Sequence, residues 1–106
     1  MSEQIRDILV RLRQELERIY GARMLGLYLY GSFARGEATD GSDVDVIIVL
    51  DRIDTYAAEV DRTSALVSSL SLDSRLSISR VFVSQADWIE RDSPFLANVR
   101  EEAIAA

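Results

Sequence analysis

Three residue types that carry much of enzyme chemistry are missing from this 106-residue chain. It has no cysteine and no histidine, and all 12 of its basic residues are arginine. Zinc sites of the usual kind, cysteine nucleophiles, serine–histidine–aspartate triads, Schiff-base lysines and lysine-containing phosphate loops are therefore excluded. The chemistry that remains uses carboxylates, hydroxyls, arginines and the backbone, and its preferred metals are hard cations such as magnesium or manganese.

The net charge and the lack of long apolar runs argue against two further classes, general nucleic-acid-binding proteins and membrane proteins. A formal net charge of −6 argues against general nucleic-acid binding, which needs a basic surface. A metal-containing site could still bind one anionic nucleotide. No apolar run approaches the roughly 18 residues of a membrane span, and the N-terminus lacks the regions of a signal peptide. We therefore expect a cytoplasmic protein without membrane contact.

The spacing of apolar residues predicts a single domain over residues 1–106, with a small mixed β-sheet covered by helices. This is an α/β fold. The first half of the chain is predicted to form a helix over residues 3–20, a strand over 24–30, a short helix over 33–36 and a strand over 43–50. The second half is predicted to form a helix from a cap at Asp54 to about Leu70, a strand over 76–83, a helical turn through Trp88 and a last helix from Ser93 to about Ile104.

The stretch from residue 31 to 45 carries the strongest functional signal in the chain. Gly31 lets the backbone approach a phosphate, and Ser32 can donate to it at the start of a short helix. Asp43 and Asp45 stand two positions apart at the head of the second strand, so both point to one face. Two carboxylates that face one point repel each other, and a divalent cation relieves that repulsion. The pattern predicts a magnesium ion and the phosphates that it bridges.

Each part of this pattern also has a structural alternative. Glycine and serine are common in a strand-to-helix turn, and Asp43 and Asp45 could form an acidic turn before a strand. Arg35 could reach a triphosphate or form a structural ion pair. Trp88 and the tyrosines of the first strand are more typical of a core than of a base-stacking surface. The combination of glycine, serine and two aspartates before a buried strand favours the functional interpretation.

The segments GSFARG at 31–36 and SDVD at 42–45 resemble the signature of the DNA polymerase beta-like nucleotidyltransferase superfamily. The likeness is strongest to its smallest members, the minimal nucleotidyltransferases that are often paired with HEPN-type toxins. The stretch 93–101 is similar to endings found in these proteins. The resemblance spans most of the chain, although only residues 31–45 are specific. It implies a nucleotidyltransferase fold.

The resemblance also implies a reaction and a set of site residues. Mg²⁺ would be the cofactor and ATP the substrate, with Asp43 and Asp45 as catalytic residues and metal ligands. Gly31 and Ser32 would hold the β- and γ-phosphates, and Arg35 would contribute to nucleotide binding. The toxin-paired relatives modify a tyrosine of their partner, so the chain would be an antitoxin that adenylylates a HEPN ribonuclease.

One departure from the superfamily leaves a rival function open. Active members carry a third carboxylate on a neighbouring strand, whereas the strand at 76–83 offers Ser77, Ser79 and Arg80. Asp73 lies several residues too early unless the register bends, and a partner residue is the other candidate. The rival is an antitoxin that neutralises its partner by binding after losing activity. An antibiotic nucleotidyltransferase is less favoured because no second domain encloses a small substrate, and both homo- and hetero-oligomers are compatible with the sequence.

Overall fold

The computed structural model of the chain describes residues 1–90 and 93–106. The elements in chain order are α1 (Glu3–Tyr20), β1 (Met24–Tyr30), α2 (Gly31–Arg35), β2 (Val44–Leu50), α3 (Tyr56–Ser74), β3 (Ile78–Ser84), α4 (Gln85–Glu90), α5 (Pro94–Glu102) and β4 (Ile104–Ala105), with a 3₁₀ turn over Gly21–Arg23 between α1 and β1. The predicted α/β class, a mixed sheet with helices, is confirmed.

The first helix begins and ends where the sequence predicts. The hydroxyl of Ser2 accepts a hydrogen bond from the backbone N–H of Ile5 at 3.2 Å, which caps the N-terminus. Gly21 ends the helix with a φ of 57°, a conformation that glycine adopts at little cost. Between these ends, one stripe of the helix is buried: Ile5, Ile8, Leu9, Leu12, Leu16 and Tyr20. The stripe fixes α1 against the sheet.

The sheet has four strands in the order β3-β2-β1-β4. β2 pairs antiparallel with β1 and parallel with β3, and α3 makes the crossover that a parallel connection needs. Because β2 lies inside the sheet, its apolar run at 46–50 is buried on both faces, as predicted. The register places Asp45 between Tyr30 of β1 and Ser79 of β3.

The two faces of the sheet have different coverings. On one face, α1 and α3 pack over the side chains of Val46, Ile48 and Leu50. On the other face, Ile47 and Val49 pack against residues of α4 and α5. Side chains alternate along a strand, so Asp45 has the same orientation as Ile47 and Val49 and lies on the face of α4 and α5. No helix within the described ranges has the length and apolar character needed to cross a membrane.

Several predicted boundaries are wrong by one to four residues. The helix expected from residue 33 begins at Gly31, and Thr55 rather than Asp54 is the N-cap of α3. α3 continues past the predicted end to Ser74, where Arg75 ends it in a left-handed conformation. The strands predicted over 43–50 and 76–83 begin at Val44 and Ile78, so Asp43 lies just before β2. The predicted start of the last helix at Ser93 is confirmed, since its hydroxyl accepts from the backbone N–H of Leu96, and the hydroxyl of Ser84 accepts from the N–H of Asp87 at the start of α4 in the same way.

The end of the chain differs most from the sequence prediction. The last helix stops at Glu102, before the predicted Ile104, and residues 104–105 form a short strand on the outer edge of β1. Ala106 donates its N–H to the carbonyl of Leu27 at 2.9 Å and extends this pairing. The free edge of β1 supplies hydrogen-bond partners that a two-residue strand lacks on its own, so only the assembled sheet determines this element.

Candidate active site

The turn from β1 into α2 requires glycine for two reasons. Gly31 has a φ of 76°, in the left-handed region that other residues seldom adopt. It is also packed so closely against Asp45 that a Cβ atom at this position would overlap the carboxylate. The β1–α2 turn and the start of β2 are therefore held together at one point, as the pattern at 31–45 predicts.

The first turn of α2 presents polar groups beside this contact. Its N-cap residue, Tyr30, provides no side-chain hydrogen bond to the helix. The hydroxyl of Ser32 makes no hydrogen bond with the residues that the structure describes. A hydroxyl at a helix start that has no partner within the chain is available to an anion. Phosphate binding by Ser32 stays a prediction.

Asp45 lies near the start of β2, next to Gly31, and Asp43 lies two residues earlier, just before the strand begins at Val44. Asp43 is exposed and Asp45 is half-buried, and neither has an ion pair within residues 1–90 and 93–106. Burial raises the pKa of Asp45, the charge of Asp43 raises it further, and Arg35 opposes the shift. The sequence argument that these carboxylates repel each other is supported by this direction. A cation placed between them would remove the cost.

A third carboxylate reaches this site from the last helix, and the sequence analysis did not identify it. The Oε1 atom of Glu102 accepts the backbone N–H of Gly31 at 3.1 Å. Its Oε2 atom accepts a hydrogen bond from the Arg35 guanidinium at 3.0 Å. The Arg35 guanidinium, and then the N–H of Gly31, lower the pKa of Glu102. The N–H of Gly31, expected to be free for a phosphate, is therefore engaged in this structure.

Arg35 is shared between two acids. It donates to Glu37 at 3.2 Å as well as to Glu102, and both contacts raise its pKa. Its side chain remains 43% exposed. Of the two interpretations left open by the sequence, the structural ion pair is present, and the nucleotide contact stays a prediction.

The neighbouring strand contributes no acid to the pair. Ser79 of β3 lies directly opposite Asp45 and shares its face. Arg80 points away, toward α3, where it donates to the hydroxyl of Thr63 at 2.8 Å. Asp73 belongs to α3 and forms an exposed ion pair with Arg11 at 3.3 Å. Within the described part of the chain, no group of three acidic side chains is arranged to hold a metal ion.

An apolar cavity of about 460 Å³ lies along the free edge of β3. Val81, two residues beyond Ser79, lines it together with Tyr56 and Phe95. Phe95 also packs edge-on against Tyr30, with 5.9 Å between ring centroids, which connects the cavity to the carboxylate pair. The cavity is large enough for a planar group such as a nucleobase.

The other aromatic residues are structural. The ring of Tyr28 in β1 packs against the ring of Trp88 in α4, with 4.8 Å between their centroids. Tyr20 donates its hydroxyl to the buried Glu59 at 2.8 Å, on the opposite face of the sheet. The sequence interpretation of Tyr28 and Trp88 as core residues agrees with this packing.

Comparison with known proteins identifies related sequences. Residues 9–87, more than half of the chain, match the family described as the nucleotidyltransferase domain. The protein adenylyltransferase MntA of Thermococcus cleftensis is 33% identical over 70 residues, which cover 66% of this chain and 69% of that protein. A proposed protein adenylyltransferase of Methanocaldococcus jannaschii, MJ0604, is 29% identical over 87 residues, which cover 82% of each chain.

The fold also has a counterpart among solved structures. A crystal structure of a proposed nucleotidyltransferase from Sulfolobus solfataricus superposes with a TM-score of 0.62. The alignment covers 97% of this chain and 82% of that one, at 16% sequence identity. At this identity the similarity is evidence about the fold, and it agrees with the four-stranded mixed sheet described above.

Proposed function

Because the chain belongs to the nucleotidyltransferase domain family and is an MntA-like nucleotidyltransferase, we propose that it transfers AMP from Mg-ATP to a hydroxyl group of a partner protein. The observation that carries the proposal is the pair Asp43 and Asp45, which has no ion-pair partner in the described ranges and of which Asp45 lies against Gly31. The acceptor oxygen would attack the α-phosphate, and pyrophosphate would leave.

The donor set of the site fits magnesium. Two neighbouring carboxylates, Asp45 of β2 and Asp43 just before it, offer hard oxygen ligands, and Mg²⁺ in nucleotide sites is commonly held by one or two carboxylates, substrate phosphates and water. Asp43 and Asp45 would hold the ion, which would neutralise phosphate charge during transfer. The raised pKa of Asp45, caused first by burial and then by the charge of Asp43, supports this assignment, because a bound cation would offset both effects.

The groups around Gly31 would hold the phosphates. The hydroxyl of Ser32 and the N–H groups at the start of α2 would contact the phosphates, and Arg35, whose side chain is 43% exposed, would add a cation. These groups would place the α-phosphorus in line for attack, and such positioning accounts for much of the catalysis of phosphoryl transfer. Beyond Tyr30, the cavity along β3 would accommodate the adenine ring.

The acceptor would be a tyrosine of a HEPN-type toxin, which would make the chain an antitoxin. Two features support a protein acceptor. Relatives that match the chain are named protein adenylyltransferases, and the motif at 31–45 resembles that of toxin-paired minimal nucleotidyltransferases. Ser79 stands where an acid would help to deprotonate the acceptor. We therefore assign the base to the partner, since a missing general base alone costs about 10²- to 10⁴-fold in rate.

A second candidate function is neutralisation by binding alone. The absence of an acidic group on β3 at Ser79 and the engagement of Gly31 by Glu102 favour it. In this alternative, the chain would cover its partner without modifying it. The two functions differ in one measurable quantity, the mass of the partner after incubation with ATP.

Intact-mass spectrometry tests the proposed reaction. The chain, a HEPN-type partner, ATP and magnesium are incubated, and we expect the partner to gain one or more AMP units. The double variant Asp43→Asn/Asp45→Asn should abolish the gain. Asp40→Asn is the matched control, because it removes one charge from an exposed loop position close to the pair. Neutralisation of the partner without any mass change, by the parent and the double variant equally, would establish the binding function instead.

A further inference from the structure

We infer that Glu102 is an internal competitor of the nucleotide, a carboxylate of α5 that occupies the anion-binding groups of Gly31 and Arg35 until phosphate displaces it. The inference rests on the proposed function, which gives these same groups to the triphosphate. Phosphate binding at this site therefore requires Glu102 to move, and the affinity for nucleotide is set partly by how strongly the chain binds its own side chain.

The geometry of Glu102 is that of a bound anion. One oxygen accepts from the Gly31 N–H at 3.1 Å and the other from the Arg35 guanidinium at 3.0 Å. A phosphate uses the same combination of a backbone N–H at a helix start and an arginine. The side chain of Glu102 is 24% exposed, so it lies at the edge of the site, with room to leave toward solvent.

The negative charge of Glu102 is a second reason why its displacement favours phosphate binding. Burial and the charge of Asp43 raise the pKa of Asp45, and the charge of Glu102 adds a smaller effect in the same direction. A triphosphate would bring further negative charge to this site. Removal of Glu102 would free two donors and would also remove a repulsive charge, and both changes favour an incoming anion.

Glu102 lies close in sequence to β4, the last strand of the sheet. It is the last residue of α5, and β4 follows after one residue, paired with β1 through Leu29 and Ile104. The terminal residue Ala106 is held by the Arg13 guanidinium at 2.6 Å. Both ends of this segment are anchored, so we expect displacement by rotation of the Glu102 side chain, with β4 remaining in place.

Isothermal titration with inorganic tripolyphosphate tests the inference without nucleotide or catalysis. Glu102→Gln removes the charge and preserves the shape, and we expect it to bind tripolyphosphate about tenfold more tightly than the parent chain. Glu101→Gln is the matched control, because it removes the same charge from the neighbouring, exposed residue. The control should bind as the parent does. Circular dichroism of each variant verifies the fold.

The outcomes separate the inference from the proposed function. Equal or weaker binding by Glu102→Gln would overturn the inference, because it would make Glu102 a support of the site. Tighter binding of tripolyphosphate without any AMP transfer would uphold the inference while the proposed reaction fails. If the Glu102→Gln variant does not fold, the inference is tested by nuclear magnetic resonance on the unmodified chain. Tripolyphosphate should shift the amide resonance of Gly31, and an unchanged resonance at saturation would refute the displacement.

Discussion

Replacement of Gly31 by alanine should damage the site more than replacement of any other glycine in a left-handed conformation. Gly31 and Gly36 both have a positive φ, 76° and 72°, which alanine seldom adopts. A Cβ atom at Gly36 would meet nothing within 4 Å, whereas one at Gly31 would overlap the carboxylate of Asp45. The two substitutions therefore share the backbone penalty and differ by the displacement of Asp45.

The expected magnitudes follow from this difference. A left-handed backbone costs a residue other than glycine about 1–2 kcal/mol, and alanine regains roughly 0.4–1 kcal/mol by restricting the unfolded chain. Gly36→Ala should thus lower the free energy of unfolding by about 1 kcal/mol. Gly31→Ala adds the cost of overpacking, typically about 1–3 kcal/mol. It should also weaken magnesium binding, because it moves one of the two proposed ligands.

Urea denaturation and magnesium titration measure the two effects separately. We expect Gly31→Ala to have the lower denaturation midpoint and a magnesium affinity well below that of Gly36→Ala, which should bind magnesium as the parent does. If both variants lose the same stability and bind magnesium equally well, the contact between residue 31 and Asp45 has no role in shaping the site, and the reasoning is wrong.

Three further predictions test other parts of the molecule. Ser32→Ala should weaken Mg-ATP binding by about 1.5–3 kcal/mol in calorimetry, because it removes one donor to a charged acceptor. The thermal midpoint should change little. A much lower midpoint with unchanged affinity would make Ser32 a structural turn residue. Tyr20→Phe should lower the free energy of unfolding by about 1–3 kcal/mol, since it takes a donor from the buried Glu59, whereas Tyr28→Phe, as control, should cost less in the same urea assay. The pKa of Asp45 is raised in the fold, so its contribution to stability is present at acidic pH and is lost as the pH rises through its folded pKa. Asp45→Asn should therefore raise the thermal midpoint at pH 7 in EDTA, and a lower midpoint would contradict the repulsion on which the metal assignment rests.

The sequence by itself determined the elements whose signals are local. The apolar stripe of α1 with its serine cap, the buried run of β2 and the two-residue spacing of Asp43 and Asp45 follow from the periods of helices and strands. The position of Asp45 beside the Gly31 turn was also predictable, because residues 31–43 join two consecutive strands, and consecutive strands are commonly neighbours in a sheet. Boundaries such as Thr55 in place of Asp54 were missed because several polar residues compete as caps, and packing selects one.

Only the tertiary structure decided what surrounds that motif. Glu102 is 71 residues away from Gly31 in sequence, and its charge gives no local sign that it will meet a glycine N–H and an arginine there. Residues 104–105 form a strand only because β1 leaves an edge unpaired. The register that places Ser79 beside Asp45 likewise depends on how α3 returns the chain to the sheet. Sequence periodicity reports which face of an element is buried, whereas the neighbour on that face is fixed only when the whole chain has packed.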